Sequence, residues 1–149
     1  MESVKQFSVF LINKPGILAQ VSKQLAQAKI NVLAMTMMDS SEHGVLRLVA
    51  EDHEKLRNAL KALDLPTTEA DVLLVEMPNK PGALADICGK LATAHINISY
   101  AYCTTGTKGG KTKGIFRVAD IKKAQKVLSK KGGNHKDMKQ KVRRPAVLR

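Results

Sequence analysis

The side chains whose types invite catalysis or metal binding in this 149-residue chain are four histidines, two cysteines and six methionines. Their spacing supports neither. His43, His53, His95 and His135 fall apart in turns, helix ends and the C-terminal stretch, and Cys88 and Cys103 form no Cys-x-x-Cys arrangement. Met35, Met37 and Met38 cluster without a nearby His or Cys to share a soft metal, so they read as gap-filling core residues, and both cysteines as small core residues with reduced thiols. Gly106, Gly109 and Gly110 lie in a predicted hairpin that no helix follows, which removes a phosphate loop, and no nucleophile elbow or zinc pattern occurs. No catalysis is expected from this pattern, nor a metal or a cofactor.

What remains is the chemistry of bare main chain. Asn13-Lys14-Pro15-Gly16 recurs unchanged as Asn79-Lys80-Pro81-Gly82, an offset of 66 positions. At the same offset Leu18-Ala19 answers Leu84-Ala85, Leu25-Ala26 answers Leu91-Ala92, and Ile30-Asn31 answers Ile96-Asn97. The chain is therefore two copies of one unit. In each copy an apolar run of strand character (Phe7 to Ile12, Val72 to Met77) leads into the motif, and apolar residues at helical spacing follow it: Ile17, Leu18, Val21, Leu25 and Ala28, then Ala83, Leu84, Ile87, Leu91 and Ala94. The motif opens a helix. Asn13 and Asn79 read as its N-caps, with Pro15 and Pro81 in a first turn that needs no proline donor. Gly16 and Gly82 lack a Cβ, so a small anionic group, a carboxylate for instance, fits against the amides at a helix N-terminus.

An Asn-Lys-Pro-Gly-x-Leu turn followed by a helix ending in Ile-Asn-Val or Ile-Asn-Ile resembles the ACT domain, and the resemblance covers roughly residues 4 to 131. It implies an α+β fold of two ferredoxin-like βαββαβ modules packed side by side, assigned here to residues 1–70 and 71–131. It also implies a regulatory protein that binds a free amino acid between modules, with the partner module supplying the opposite wall. The ligand's carboxylate then meets the amides near Gly16-Ile17 or Gly82-Ala83, and its ammonium the side-chain oxygen of Asn13 or Asn79. The candidate ligand residues are Asn13, Pro15, Gly16, Ile17, Leu18 and Asn31 in the first copy, and Asn79, Pro81, Gly82, Ala83, Leu84 and Asn97 in the second. Asn31 and Asn97 have a second reading, as left-handed residues closing the helices. The implied partners are the amino acid and either a second copy, as a dimer, or a regulated enzyme. A ligand-independent assembly module is the alternative.

The rest of the chain supplies the elements that hold the motifs. Residues Asn31 to Asp39 and Gly44 to Ala50 read as strands around a turn at Ser40 to His43, and Asp52 caps a helix with the stripe Leu56, Ala59, Leu60 and Leu63. One strand between Leu65 and Met77 is expected to close the first sheet and begin the second. In the second copy Ile98, Tyr100 and Tyr102 share one side of a strand, the tyrosines either packing the sheet or reaching a ligand, and His95 ends the preceding helix. Gly114 to Ala119 follows, Asp120 caps the last helix, and Gly132-Gly133 ends it. No apolar strand then appears, so a short piece around Ala146 to Leu148, another subunit, or nothing pairs at the second sheet's edge.

The formal charge of +12 is localised: residues Lys108 to Arg149 hold 15 basic and 2 acidic side chains, and the remainder is near neutral. Such a basic C-terminal end, residues 132–149, invites nonspecific nucleic-acid association, yet three Phe, two Tyr and no Trp provide little for bases to stack on. No run reaches the roughly 20 apolar residues of a membrane span, and the N-terminus lacks a secretory pattern, so no membrane and a cytoplasmic location are expected.

Overall fold

A computed structural model describes residues 1–38, 43–104, 106 and 109–130. In chain order it contains β1 (Glu2–Ile12), α1 (Ile17–Gln27), β2 (Val32–Met38), β3 (His43–Ala50), α2 (His53–Ala62), β4 (Thr67–Pro78), α3 (Ala83–Thr93), β5 (Ile98–Cys103), β6 (Lys111–Val118) and α4 (Ile121–Ser129). The strands form one antiparallel sheet in the order β2-β3-β1-β4-β6-β5. Two βαββ units thus meet at β1 and β4, the α+β, doubled ferredoxin-like architecture.

The helices cover one face. Alternate residues of β1 (Phe7, Val9, Leu11) and β3 (Leu46, Leu48) pack with Val21, Leu25, Leu56 and Leu60 in a first core. Leu73, Val75 and Met77 of β4 pack with Phe116, Leu91 and Ala124 in a second. Asp52 and Asp120 cap α2 and α4 as their sequence positions suggest, accepting from the amides of Lys55 at 3.0 Å and Lys123 at 2.9 Å.

The junction carries the topology. Lys5 pairs with Asp71, its own counterpart one repeat later, so the register of β1 against β4 is a pseudo-two-fold axis, and the two side chains form an ion pair of 2.7 Å. The expected shared strand is one continuous β4: Thr67 to Leu74 pairs with β1 and Leu73 to Pro78 with β6. This also settles which segment flanks the second sheet. The place beside β4 where a fourth strand belongs is taken by residues Glu2 to Val9 of β1. Each first strand doubles as the other copy's last. Ala146 to Leu148 and Gly132-Gly133 lie outside the described residues, as does the basic stretch 132–149.

The opposite face is concave. Ala34, Val49, Val72, Leu74 and Ile115 form a third buried cluster, joined by Val4, Leu33 and Tyr102, so all six strands contribute to it. The sheet curls until its two edges, β2 and β5, come within 8 Å between Cα atoms. Gln6, fully buried, donates from Nε2 to the Tyr100 hydroxyl at 2.6 Å and accepts from the Tyr102 hydroxyl at 2.8 Å, tying β1 to β5. The tyrosines therefore pack and bond across the sheet, and burial raises the Tyr102 hydroxyl above its ordinary pKa.

Three packing expectations change. Met35, Met37 and Met38 are 38–47% exposed, because β2 is a sheet edge with no strand hydrogen-bonded on its outer side. Cys103 is exposed at the other edge, and only Cys88 packs against the core. Leu84 is 47% exposed rather than part of its helix's buried stripe.

Candidate functional site

Both repeated turns end in a left-handed glycine, Gly16 at φ 86° and Gly82 at φ 91°, and these glycines are the N-caps of α1 and α3. Asn13 and Asn79 are not. They stand three residues too early, and no side chain caps either helix. The first intrahelical bonds run from Gln20 to the Gly16 carbonyl at 3.0 Å and from Asp86 to the Gly82 carbonyl at 2.9 Å. The amides of Ile17 and Ala83 reach back only weakly, to Lys14 at 3.5 Å and Lys80 at 3.3 Å. Leu18 and Ala19, and likewise Leu84 and Ala85, have amides with no acceptor among the described residues. A Cβ built on Gly16 or Gly82 would meet nothing within 4 Å, so the glycines answer to the positive φ and the space beside them is open.

The helices end alike. Ile30 and Ile96 donate to the carbonyls of Leu25 and Leu91, while Lys29 and His95 adopt left-handed φ of 53° and 55°. This Schellman closure places the left-handed residue just before the isoleucine, so Asn31 and Asn97 are not the left-handed positions. Asn31 instead donates to Glu51 at 3.2 Å, and Asn97 is exposed.

The surroundings of the two turns differ. Beside the second lies a hollow of about 270 Å³ lined by Met77, Pro78, Asn79, Lys80, Ala83, Leu84, Cys103, Thr104, Gly106 and Thr112. Every described lining residue belongs to the second copy, and among them the far wall is the β5–β6 hairpin. Asn79 fastens that hairpin: its amide donates to Gly110 at 2.8 Å and its side chain to Gly106 at 2.9 Å. Thr104 and Thr112 cross-link the hairpin through the Thr112 hydroxyl and the Thr104 carbonyl. Beside this wall Lys111 bonds Glu76 at 2.6 Å, which lowers the Glu76 carboxyl and raises the Lys111 ammonium from their ordinary values. Burial pushes the Cys103 thiol up, away from thiolate chemistry.

At the first turn Asn13, Pro15 and Gly16 are exposed and Ile17 is buried in the core. Leu18 lines a separate apolar groove of about 170 Å³ between α1 and the sheet, with Met35, Leu46 and Leu48. Residues 39–42 lie outside the described ones.

The structure thus brings Asn79, Ala83 and Leu84 to one hollow, with Pro81 and Gly82 in the adjoining turn. It leaves Asn31 and Asn97 out of the lining. Sequence reasoning missed the hairpin residues Thr104 and Thr112. A signal was present: the offset between copies widens from 66 at Asn31 and Asn97 to 68 at Asp52 and Asp120, so the second hairpin is longer. Among the described residues no group of three His, Cys, Asp or Glu could hold a metal, and no helix is long and apolar enough to cross a membrane.

No curated protein sequence matches the chain. Among solved structures it is similar to protein BT0572 from Bacteroides thetaiotaomicron, with 32% identity over 85% of this chain and 86% of that one, at a TM-score of 0.78. It is also similar in fold to the regulatory subunit of aspartate kinase from Thermus thermophilus (16% identity, 86% and 95% covered, TM-score 0.62) and from Thermus flavus (19%, 86% and 91%, 0.55). A family model described as an ACT domain pair matches residues 2–141, nearly the whole chain. With its doubled βαββ plan, paired glycine turns and that match, the chain belongs to the ACT domain pair family, a class of regulatory modules.

Proposed function

We propose that this ACT domain pair binds a free amino acid in the hollow beside Gly82 and passes its presence to a partner, either a second copy of the chain or a regulated enzyme. The observation that carries the reading is the hollow itself. It is lined by Leu84, whose amide and that of the adjoining Ala85 find no acceptor among the described residues at a helix N-terminus, which suits a carboxylate, and by the Asn79 side chain and hairpin residues, whose carbonyls suit an ammonium. A volume of about 270 Å³ lies at the small end of ligand sites and matches a molecule of about ten heavy atoms. Hydrogen bonds to charged groups contribute about 1.5–3 kcal/mol each, so a few hold such a ligand at micromolar to millimolar levels. The family supports this class of ligand, and the hairpin wall supports the second copy as its place.

Isothermal titration against the twenty amino acids tests it. At least one should bind the wild type, and Leu84→Glu, which sets a carboxylate in the hollow from an exposed position, should weaken that binding at least about tenfold. Leu18→Glu in the first copy should leave it unchanged. Silence across the panel, or equal loss in both variants, removes the proposal.

A further inference from the structure

Arg47 stands on the concave face of the sheet with its charge unanswered. Of the described arginines, Arg57 is bound by Glu54 and Glu69, and Arg117 donates to the carbonyls of Asp71 at 3.1 Å and Val118 at 3.3 Å. Arg47 has no carboxylate or carbonyl acceptor among the described residues. Its Nη1 reaches only the Met38 sulfur at 3.4 Å, and its Nε is buried without a partner. The group is nonetheless held in place. Its Cζ lies 3.7 Å from the centroid of the Tyr100 ring, whose hydroxyl accepts from the fully buried Gln6.

The register sets hydroxyl-bearing residues in the same row as Arg47. Arg47 pairs with Thr36 on β2 and with Ser8 on β1, and Ser8 pairs in turn with Thr68 on β4. Directly paired residues share a face, so Thr36, Arg47, Ser8 and Thr68 form one row across four strands. None of the three hydroxyls finds a hydrogen-bond partner among the described residues. A guanidinium stacked on a ring and met by no carboxylate among the described residues, in a row with three hydroxyls, suits an oxyanion.

We propose that this row is a second binding site, for the carboxylate of a small organic acid. One positive charge is available, since Arg117 on the same face is turned onto main-chain carbonyls, and this balances a singly charged, planar group rather than a phosphate. The site stands apart from the hollow beside Gly82 and does not depend on the amino-acid reading.

The chain's two tyrosines both adjoin the row and there is no tryptophan, so tyrosine emission reports on it directly. Titration of the full chain with acetate, at ionic strength held constant with chloride, should give a saturable change in the millimolar range. Inorganic phosphate should act more weakly. Arg47→Gln should abolish the response, Ser8→Ala should weaken it about fivefold, and Asn79→Ala should preserve it. A wild type indifferent to acetate, a tighter response to phosphate, or Ser8→Ala and Arg47→Gln titrating like the wild type would each overturn the assignment.

Discussion

The two glycine turns share a sequence and a backbone, yet among the described residues only the second is clasped. Asn79 is half-buried and holds the β5–β6 hairpin by its amide and its side chain, whereas Asn13, in the same motif, is exposed. The lesson is that the repeated letters encode the turn, while the hollow comes from what lies across from it. A longer hairpin, two residues more by the widening offset, makes a wall from Thr104, Gly106 and Thr112. Duplicated motifs are thus evidence of duplicated local structure, while a site depends on what stands opposite each turn.

The sharpest test of this difference begins with what the copies share. Phe7 and Phe116 are fully buried in the first and second cores, and either change to Ala should cost about 3–5 kcal/mol in chemical denaturation. Because β4 belongs to both copies, each variant should melt in one transition. Two separated transitions would show that the copies fold apart.

Next come the glycines. Gly16→Ala and Gly82→Ala should each destabilise by about 1–2 kcal/mol, since both require positive φ and neither meets a contact within 4 Å. Equal losses confirm that the turns are alike in themselves; a much larger loss at Gly82 would place the asymmetry in the turn. The asparagines should then divide the copies. Asn79→Ala should cost about 1 kcal/mol by thermal denaturation through its hairpin bond, and Asn13→Ala close to nothing.

The smallest effect is electrostatic. Lys111 draws the Glu76 carboxyl below its ordinary value of 4.5, so the pair's contribution is present above that pH and fades as pH falls through the lowered value. Lys111 is raised above 10.5, so its share is present below that pH and fades as pH rises through the raised value. Both groups are exposed, and the loss on Glu76→Gln should be a slight fall in melting temperature at pH 7 that vanishes at pH 2. An undiminished difference at pH 2 would assign the effect to something other than the charge.

Much of the fold was legible because it is written in short-range signals. The helical stripes and the Asp52 and Asp120 caps each depend on residues within a few positions of one another, and the offset of 66 shows by comparing two such short patterns. Apart from the caps of α1 and α3, the misplaced details depend on distant partners. Asn13 and Asn79 have a cap's side chain, but the left-handed glycines three residues on had already taken the position. Met35, Met37 and Cys103 are apolar enough for a core and became exposed only because β2 and β5 are edges, a fact of strand order. The missing last strand could not be found downstream of α4, because β1 occupies that place from the other end of the chain. In the same way the third core and the Gln6, Tyr100 and Tyr102 bonds arise from curvature, which no local pattern spells out.

The crossed use of β1 and β4 makes the beginning of the chain everyone's business. Residues 2–9 are cladding for the strand that leads into the second turn, with Glu2 laid against Leu74 just ahead of the hollow's rim. Trimming, tagging or modifying the first few positions is therefore felt at Leu74 as much as at Phe7, and neither copy can be lifted out whole without taking a piece of its twin.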